Sequence, residues 1–457
     1  MKTTTIYKLT ALTMALCALF ALCFAVSAFA AGTNAAAKTA TAAESAADLE
    51  SALASELFTE RDLEQTPDLA DAAALKLTSG KDVTISEAGV YVLSGTAKET
   101  TVTVEAADDA KVQLVLDGVS ITNSDFPCIY VKSADKVFVT TVSDSSLSVT
   151  GGFRRDGDTN TDGAVFSRSD LVLNGCGTLT VSSTDNGVVC KDDLKLTGGS
   201  YVITAKSKAF EANDSIRAAG GSYVLNAGSD GLHAENDEDE SLGNIYLLGG
   251  SFTITAGDDA IHANTLLQIE AGQYGITAAE GLEATKVLIN GGRIDIKASD
   301  DGVNAARKSS ALSPRVEING GELTVTMGQG DTDGIDTNGD LVITGGRVEV
   351  TGNSTFDVDG SISFTGGTVI VNGQEVTSIP NQMMGGGKGG MGGMGGFGGQ
   401  RPSDGGFASD GAFPGGGQFP EDGQFPTDGQ RPGKGRHGQN GAFSADAQAP
   451  GESAPTL

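Results

Sequence analysis

Glycine recurs at a nearly regular interval through the middle of the chain, and this repeat constrains the fold more than any other feature. Nine glycines, each following a short apolar segment, are separated in turn by 22, 22, 29, 22, 20, 29, 25 and 21 residues. They are Gly177, Gly199, Gly221, Gly250, Gly272, Gly292, Gly321, Gly346 and Gly367. A basic period of 20 to 22 residues predicts a stacked solenoid. The two longest intervals contain insertions, at residues 235–240 and 306–314.

Within each repeat, apolar and polar residues alternate in short runs that are separated by turn residues. The repeat that starts at Ile245 has apolar residues on both sides of Gly249–Gly250, an acidic turn at Asp258–Asp259 and a short closing run. Alternation of period two is typical of strands and excludes repeats that contain helices. Three short strands and three turns per repeat predict an all-β parallel β-helix with three sides and about a dozen rungs.

Equivalent positions in successive repeats are expected to stack on one another. One such column contains Tyr201, Tyr223, Phe252, Tyr274, Ile294, Leu323, Val348 and Val369. A row of aromatic side chains could form a platform for sugar rings, but these positions share the parity of apolar residues such as Ile203 and Leu225. We therefore expect an internal ladder that is part of the core.

A second column carries polar side chains and is expected to face solvent. It contains Glu211, His233, His262, Glu283, Asn304, Asp336 and Asp357, and a column of acidic turns runs beside it. Stacked carboxylates repel one another unless a cation neutralises them, and Ca²⁺ takes about six to eight oxygen ligands. We predict several calcium ions, held by Asp230, Asp258, Asp259, Asn264, Asp300, Asp301, Asp331, Asp333 and Asp336. The alternative for any single aspartate is a turn-capping role, because Asp-Gly is itself a favourable turn dipeptide.

Three details of these columns leave alternatives open. His233 and His262 are expected on adjacent rungs, and a zinc or copper site there is the less favoured interpretation because no third soft ligand accompanies them. The rung at Ser207-Lys208-Ala209 has no acid, so a cation site there is either broken or bridged by lysine. The acidic insertion at residues 235–240 fits a solvated loop and an additional cation site equally well.

The two ends of the chain differ in composition from the repeats. The predicted segments are a signal peptide at residues 1–30, a linker at 31–57 with a short helix near 48–57, the β-helix domain at 58–379, and a Gly-, Met- and Pro-rich tail at 380–457 that is expected to be disordered. The leader has a basic start, an apolar run and Ala28-Phe29-Ala30 at its end, which together indicate export.

Cysteine content and charge restrict the classes of partner and of stabilisation. Cys128, Cys176 and Cys190 are too few for a disulfide framework, so a packed core must stabilise the exported chain. A formal net charge of −29 argues against a nucleic-acid partner, because phosphate binding requires basic surfaces. Direct attraction to an acidic polymer is disfavoured for the same reason, and divalent cations are the expected partners of so many carboxylates.

Several segments resemble a known family. Gly89–Thr96, Val112–Asn123, Lys191-Asp192-Asp193-Leu194 and the repeated Asp-Gly and Gly-Gly pairs are similar to those of secreted bacterial carbohydrate-binding proteins. The resemblance extends over about residues 58–373, and a tail rich in glycine and methionine is also typical of the family. It implies a right-handed parallel β-helix that binds calcium, and a ligand such as cellulose or an acidic sugar polymer like polygalacturonate.

We therefore predict a secreted, non-catalytic protein that binds acidic polysaccharide, or plant or bacterial cell-wall glycan, through calcium. It would be extracellular or associated with the cell surface, with no membrane span after removal of the leader. The alternatives are a calcium-dependent polysaccharide lyase and a structural surface rod or adhesin. A lyase needs a base close to its acidic groups, and Lys208, Arg293 and Arg307 are not expected to cluster with the acidic turns.

Overall fold

A computed structural model of the chain describes residues 53–329 and 332–381. The predicted signal peptide, most of the predicted linker and nearly all of the predicted tail lie outside these residues. No helix within the described ranges is long and apolar enough to span a lipid bilayer.

Strands dominate the described residues, in which 34 of them form one hydrogen-bonded sheet. In chain order they are β1 (Ala73–Lys76), β2 (Val83–Ile85), β3 (Gly89–Lys98), β4 (Val102–Glu105), β5 (Lys111–Asn123), β6 (Ile129–Ser133), β7 (Lys136–Thr141), β8 (Ser145–Val149), β9 (Gly163–Ser167), β10 (Asp170–Gly175), β11 (Thr178–Ser183), β12 (Asn186–Cys190), β13 (Asp193–Leu196), β14 (Ser200–Ala205), β15 (Phe210–Ala212), β16 (Ser215–Ala218), β17 (Ser222–Ala227), β18 (Leu232–Ala234), β19 (Asn244–Leu247), β20 (Ser251–Ala256), β21 (Asp259–Ile269), β22 (Gln273–Ala278), β23 (Glu280–Ile289), β24 (Arg293–Ala298), β25 (Asp301–Ala305), β26 (Arg315–Ile318), β27 (Glu322–Met327), β28 (Asp333–Thr337), β29 (Asp340–Ile343), β30 (Arg347–Thr351), β31 (Ser354–Val358), β32 (Ile362–Phe364), β33 (Thr368–Val371) and β34 (Gln374–Val376).

All strands except β34, which pairs antiparallel with β33, stack in parallel as three ladders, so the protein is an all-β solenoid. The first ladder runs through β1, β3, β5, β7, β10, β13, β16, β19, β21, β23, β26, β29 and β32. The second runs through β3, β5, β8, β11, β14, β17, β20, β22, β24, β27, β30 and β33. The third runs through β2, β4, β6, β9, β12, β15, β18, β21, β23, β25, β28 and β31. The right-handed sense and the number of rungs stay predictions.

The predicted aromatic column lies inside the solenoid, on the second ladder. Tyr201, Tyr223, Phe252 and Tyr274 are aligned by strand pairing and are almost completely buried. Their rings stack in series, with centroids 5.3, 4.4 and 5.2 Å apart. The interpretation as an internal ladder is therefore confirmed, and a sugar platform at these residues is excluded by their burial.

The corner glycines of the repeat adopt the backbone conformation that the sequence predicts, with one exception. Eight of the nine have positive φ, but at the first corner it is Gly175, with φ 113°, and not Gly177. At Gly221 a Cβ atom would lie 2.6 Å from the hydroxyl of Tyr223, which folds back over the corner. Glycine is thus required both by the turn and by the aromatic ladder beneath it.

A short helix, α1 (Glu60–Leu63), packs against the first ladder and is held there by one buried carboxylate. Thr59 and Asp62 form a reciprocal capping box at its start. Asp62 also lies 3.2 Å from Nζ of Lys136 and 3.0 Å from Nζ of Lys195. Residues 53–57 are helical as well, in agreement with the predicted short helix near the linker's end.

The three cysteines of the described residues form no disulfide with one another. Cys128 and Cys190 are buried in the core, and Cys176 is exposed. Stability therefore comes from the apolar interior that the three ladders enclose.

Truncation of one aromatic ring should destabilise the solenoid through its core. Phe252→Ala would leave a cavity between Tyr223 and Tyr274 and should lower the free energy of unfolding by about 3–5 kcal/mol, measured by urea denaturation. Thr253→Ala, at the adjacent exposed position, is the matched control and should change it by less than about 0.5 kcal/mol. An equal loss in both variants would contradict the internal placement of the ladder.

Candidate functional site

Polar side chains line up along the third ladder in the predicted register. Strand pairing aligns Glu211, His233, His262, Glu283, Asn304, Asp336 and Asp357, which we call the polar stripe. Five members of the stripe, from His233 to Asp336, are each preceded by an acidic residue three positions earlier in the chain. We call these residues the turn acids, and they are Asp230, Asp259, Glu280, Asp301 and Asp333. Pairing of Asp259 with Glu280, and of Asp301 with Asp333, stacks these turns directly. The predicted stacking of both columns is therefore confirmed.

Two carboxylates and an imidazole converge in the middle of the stripe. Nδ1 of His262 lies 2.7 Å from Oδ2 of Asp259 and 2.7 Å from Oε2 of Glu283, and all three side chains are buried. Burial disfavours the charged imidazole, but the two carboxylates outweigh it and raise the pKa of His262 to about 9. One candidate ligand atom from each residue lies within 4.8 Å of the others.

A lysine from the second insertion completes this buried group. Nζ of Lys308 lies 2.6 Å from Oε1 of Glu283. Burial raises the pKa of Glu283, but the close, positively charged His262 and Lys308 reverse the shift and hold the pKa well below its usual range. The sequence alone did not identify Lys308, because the insertion interrupts the repeat and leaves its residues without a predictable register.

The preceding rung repeats the aspartate–histidine arrangement. The rings of His233 and His262 stack with centroids 4.6 Å apart. Nδ1 of His233 lies 2.8 Å from Oδ2 of Asp230. This nitrogen is buried and has no correctly oriented hydrogen-bond partner. Nε2 of the same ring lies 3.1 Å from Oε2 of Glu235, at the start of the acidic insertion.

The later rungs, which carry Asp301, Asn304, Asp333 and Asp336, offer only oxygen atoms as ligands, and we call them the oxygen-only rungs. The backbone N–H of Asp333 donates to Oδ1 of Asp301 at 3.2 Å, and the Ser354 hydroxyl donates to Asp333. Burial and the charges of Asp301, Asp357 and Asp333 raise the pKa of Asp336 to about 7. Burial, followed by the charges of Asp300 and Asp333, raises the pKa of Asp301 to about 6 despite its backbone hydrogen bond. These shifts indicate uncompensated negative charge.

Asn304 connects the two parts of the stripe. Its Nδ2 donates to Oε2 of Glu280 at 3.0 Å and to Oε1 of Glu283 at 3.4 Å. Its Oδ1 is buried and accepts no hydrogen bond. Burial first, and then the charge of Glu283, raises the pKa of Glu280 to above its usual range. A buried carbonyl oxygen without a donor, next to carboxylates, is the kind of atom that a cation can satisfy.

The remaining predicted calcium ligands are placed differently. Asp258 and Asp300 are exposed, and their backbone carbonyls accept hydrogen bonds from Glu280 and Asp333, which is a turn role. Asn264 lies beside Gly243 at the base of the acidic insertion. Asp331 lies outside the described residues.

The rung at Ser207-Lys208-Ala209 has no turn acid, and the sequence left it as either a broken cation site or one bridged by lysine. The structure shows the lysine bridge. Nζ of Lys191 and of Lys208 lie 2.6 and 3.4 Å from the two oxygens of Glu211. The expectation that Lys208 stays away from the acidic turns is therefore wrong, because its place in the rung is equivalent to that of Asp230. Arg293 does lie elsewhere, paired with Asp295 and Glu322 on the second ladder.

The two insertions pack against each other beside the stripe. The carboxylate of Glu240 accepts a hydrogen bond from the backbone of Ser310, and its carbonyl accepts one from Thr265. A cleft of about 570 Å³ lies between the acidic insertion and the stripe. It is lined by Lys191, Lys208, Glu211, Asn213, Asp214, His233, Glu235, Asn236, Asp237 and Glu238.

Removal of one charge from the oxygen-only rungs should stabilise the metal-free protein in a pH-dependent way. The folded-state pKa of Asp336 is about 7, well above the 3.8 of an unperturbed aspartate. The folded state therefore loses stability between about pH 4 and pH 7, as this carboxyl ionises in the unfolded chain more readily than in the folded one. Asp336→Asn should raise the free energy of unfolding in EDTA by at least about 1 kcal/mol at pH 8, and by almost nothing near pH 4. Asp109→Asn, at an exposed turn, is the control. A gain that does not depend on pH would contradict charge repulsion as the cause.

Comparison with known proteins gives this site a family context. Residues 79–334, more than half of the chain, match the family model described as "Carbohydrate-binding domain-containing protein". A curated protein with the same description, from Acetivibrio thermocellus, is 35% identical over 132 residues, which cover 28% of this chain and 46% of that relative. The match thus spans less than half of the relative's length.

A solved structure is also similar to part of the chain. It is described as the polysaccharide lyase-like protein from C. thermocellum in a gadolinium derivative. The identity is 29% and the TM-score 0.42, over 49% of this chain and 94% of that one. The extent of the family-model match, which includes both insertions and most of the polar stripe, is decisive: the chain belongs to the family of carbohydrate-binding domain-containing proteins.

Proposed function

We propose that the protein is secreted, does not catalyse a reaction, and binds acidic polysaccharide of the polygalacturonate type through calcium held on the oxygen-only rungs of the polar stripe. The observation that carries this proposal is the stacking of Asp301 on Asp333, with Asp336 next to them in the stripe. Family membership supports a glycan as the partner, and the basic, apolar leader at residues 1–30 supports export.

The ligand atoms on these rungs suit calcium. Asp301, Asp333 and Asp336 offer carboxylate oxygens, and Asn304 offers a buried amide oxygen that accepts no hydrogen bond. Ca²⁺ is a hard ion that prefers such oxygens, and it takes about six to eight of them in variable geometry. Burial and the neighbouring carboxylates raise the pKa of Asp336, and calcium bound here would offset both effects by favouring the ionised form. Asp300, an exposed neighbour in the same turn, is a further candidate ligand.

The charge of the protein makes a cation necessary for binding an acidic polymer. The chain carries a formal net charge of −29, so a polyuronate would be repelled from its surface. An ion that is incompletely coordinated by the protein retains positions for uronate carboxylates and sugar hydroxyls. Because the stripe repeats at the spacing of the rungs, several ions could bind several sugar units of one chain, and weak contacts would add up to useful avidity.

The alternative function, a polysaccharide lyase, requires an unprotonated base near the bound uronate. Lys308 is the lysine closest to the middle of the stripe, 2.6 Å from Glu283. Burial lowers its pKa, but the hydrogen bond and the charge of Glu283 outweigh burial and raise the pKa above its usual value. A lysine that is held in its protonated form is a poor general base. This supports binding without chemistry.

Retention on immobilised polygalacturonate should depend on calcium and on the oxygen-only rungs. The full-length protein should be retained with calcium and released by EGTA. Asp301→Asn with Asp336→Asn should weaken retention by at least about tenfold, because two charged ligands are lost. Asp109→Asn should bind like the wild type. A structural rod would be indifferent to pectin and to EGTA alike, and that result would refute the proposal.

The same samples distinguish binding from lyase activity. Incubation with soluble polygalacturonate and calcium should produce no increase in absorbance from unsaturated uronate product. Product formation that is lost in Lys308→Ala would instead establish the lyase alternative.

A further inference from the structure

The polar stripe changes its ligand chemistry along its length. The rungs that contain Asn304 and Asp336 offer only oxygen ligands, whereas the rungs of His233 and His262 add imidazole nitrogens. Imidazole suits zinc and other first-row transition metals, while calcium and magnesium prefer oxygen. The two halves of the stripe therefore suit different ions.

The contacts around His262 are more than one proton can satisfy. Oxygens of Asp259 and Glu283 both lie 2.7 Å from the same nitrogen, Nδ1. An N–H bond points in one direction, and only the contact with Asp259 has the geometry of a hydrogen bond. The oxygen of Glu283 is thus held close to a nitrogen that does not donate to it. A cation placed between the three atoms would satisfy both oxygens together.

We propose that Asp259, His262 and Glu283 form a binding site for a divalent transition metal of the zinc class, which is separate from the calcium rungs and replaces the proton on Nδ1 of His262. The site would supply one nitrogen and two oxygens from the protein and leave a fourth position to water or a ligand. Three protein ligands with one open position are characteristic of accessible zinc centres.

The strand framework makes the site compact and rigid. Asp259 and His262 lie on β21, and Glu283 lies on β23, paired directly with His262. In a tetrahedral zinc site the ligand atoms are about 3.4 Å apart, so each of the two 2.7 Å contacts needs to open by about 0.7 Å. Lys308 holds the second oxygen of Glu283, and such outer contacts orient metal ligands.

A second, independent observation comes from the adjacent rung. Nδ1 of His233 is buried and lacks a hydrogen-bond donor or acceptor in a suitable direction, although Oδ2 of Asp230 lies only 2.8 Å away. On each of the two rungs, one carboxylate oxygen therefore lies within 2.8 Å of an imidazole nitrogen without a hydrogen bond, that of Glu283 at His262 and that of Asp230 at His233. The stacked rings, 4.6 Å apart, also fix the orientation of His262. A buried imidazole nitrogen left in this way points to a metal rather than to a simple ion pair.

The metal would change the charge of the buried group by replacing one proton with a divalent ion. Without metal, Asp259 and Glu283 are balanced by the imidazolium of His262 and by Lys308. With metal, His262 binds as neutral imidazole, so affinity should fall at low pH as protons compete for Nδ1. Calcium gains little from an imidazole ligand and should compete poorly.

Cobalt binding to the full-length protein tests the proposal. After treatment with chelator, Co²⁺ should produce the visible d–d absorption of a low-coordinate site at pH 7.5, and Zn²⁺ should abolish it while excess Ca²⁺ should not. His262→Gln and Glu283→Gln should each weaken binding at least about 100-fold, because each removes a ligand. His437→Gln, which changes the one remaining histidine of the chain, should bind like the wild type. Circular dichroism would establish that each variant is folded.

Two variants, each expected to affect only one of the two kinds of binding, separate this site from the calcium rungs. Asp336→Asn should leave Co²⁺ binding unchanged, and His262→Gln should leave calcium-dependent retention on polygalacturonate unchanged. No d–d absorption in the wild type, absorption that persists in His262→Gln, or displacement of Co²⁺ by equimolar Ca²⁺ would each overturn the proposal. These outcomes would not affect the proposed binding of polysaccharide.

Discussion

Backbone hydrogen bonding between rungs is the constraint on which the rest of the molecule depends. Parallel pairing places equivalent side chains about 4.8 Å apart along each ladder. On the inner face this spacing stacks aromatic rings and branched aliphatic side chains into a continuous core, as from Tyr201 to Tyr274. On the outer face the same spacing forces like charges together, at a repulsion of about 3 kcal/mol per pair for an effective dielectric constant near 20.

Basic groups of the protein neutralise this repulsion in two parts of the polar stripe and not in a third. At Glu211 two lysines provide the opposite charge. At Asp259 and Glu283 an imidazolium and Lys308 do so. From Asp301 to Asp336 no basic side chain lies within ion-pair distance in the described residues, and the pKa values of both carboxyls are raised. The stripe is thus neutralised by protein groups at one end and left negative at the other.

The sequence predicted the columns well because they follow from period and parity alone. The stacking of Glu211, His233, His262 and Glu283 required only that each repeat place its outward residue at the same point. Sequence reasoning failed where the period is interrupted. Lys308 lies in an insertion, so its approach to Glu283 cannot be derived from the repeat period. The pairing of the histidines with Asp230 and Asp259 was not predicted, because it depends on side-chain angles that a pattern does not contain.

Excess negative charge on a folded surface lowers stability, so its persistence at a defined place calls for a compensating role. Sites where local preference and global stability disagree are commonly functional, because a ligand supplies the missing interaction. The oxygen-only rungs are such a site, because their stacked carboxylates repel one another in the folded state. A cation would convert this repulsion into attraction and stabilise the folded state by mass action. A partner that brings carboxylates of its own would then be drawn to the same ions. The ladder alone makes the surface unfavourable for an acidic polymer, and with the proposed ions in place it would become a regularly spaced template for binding one.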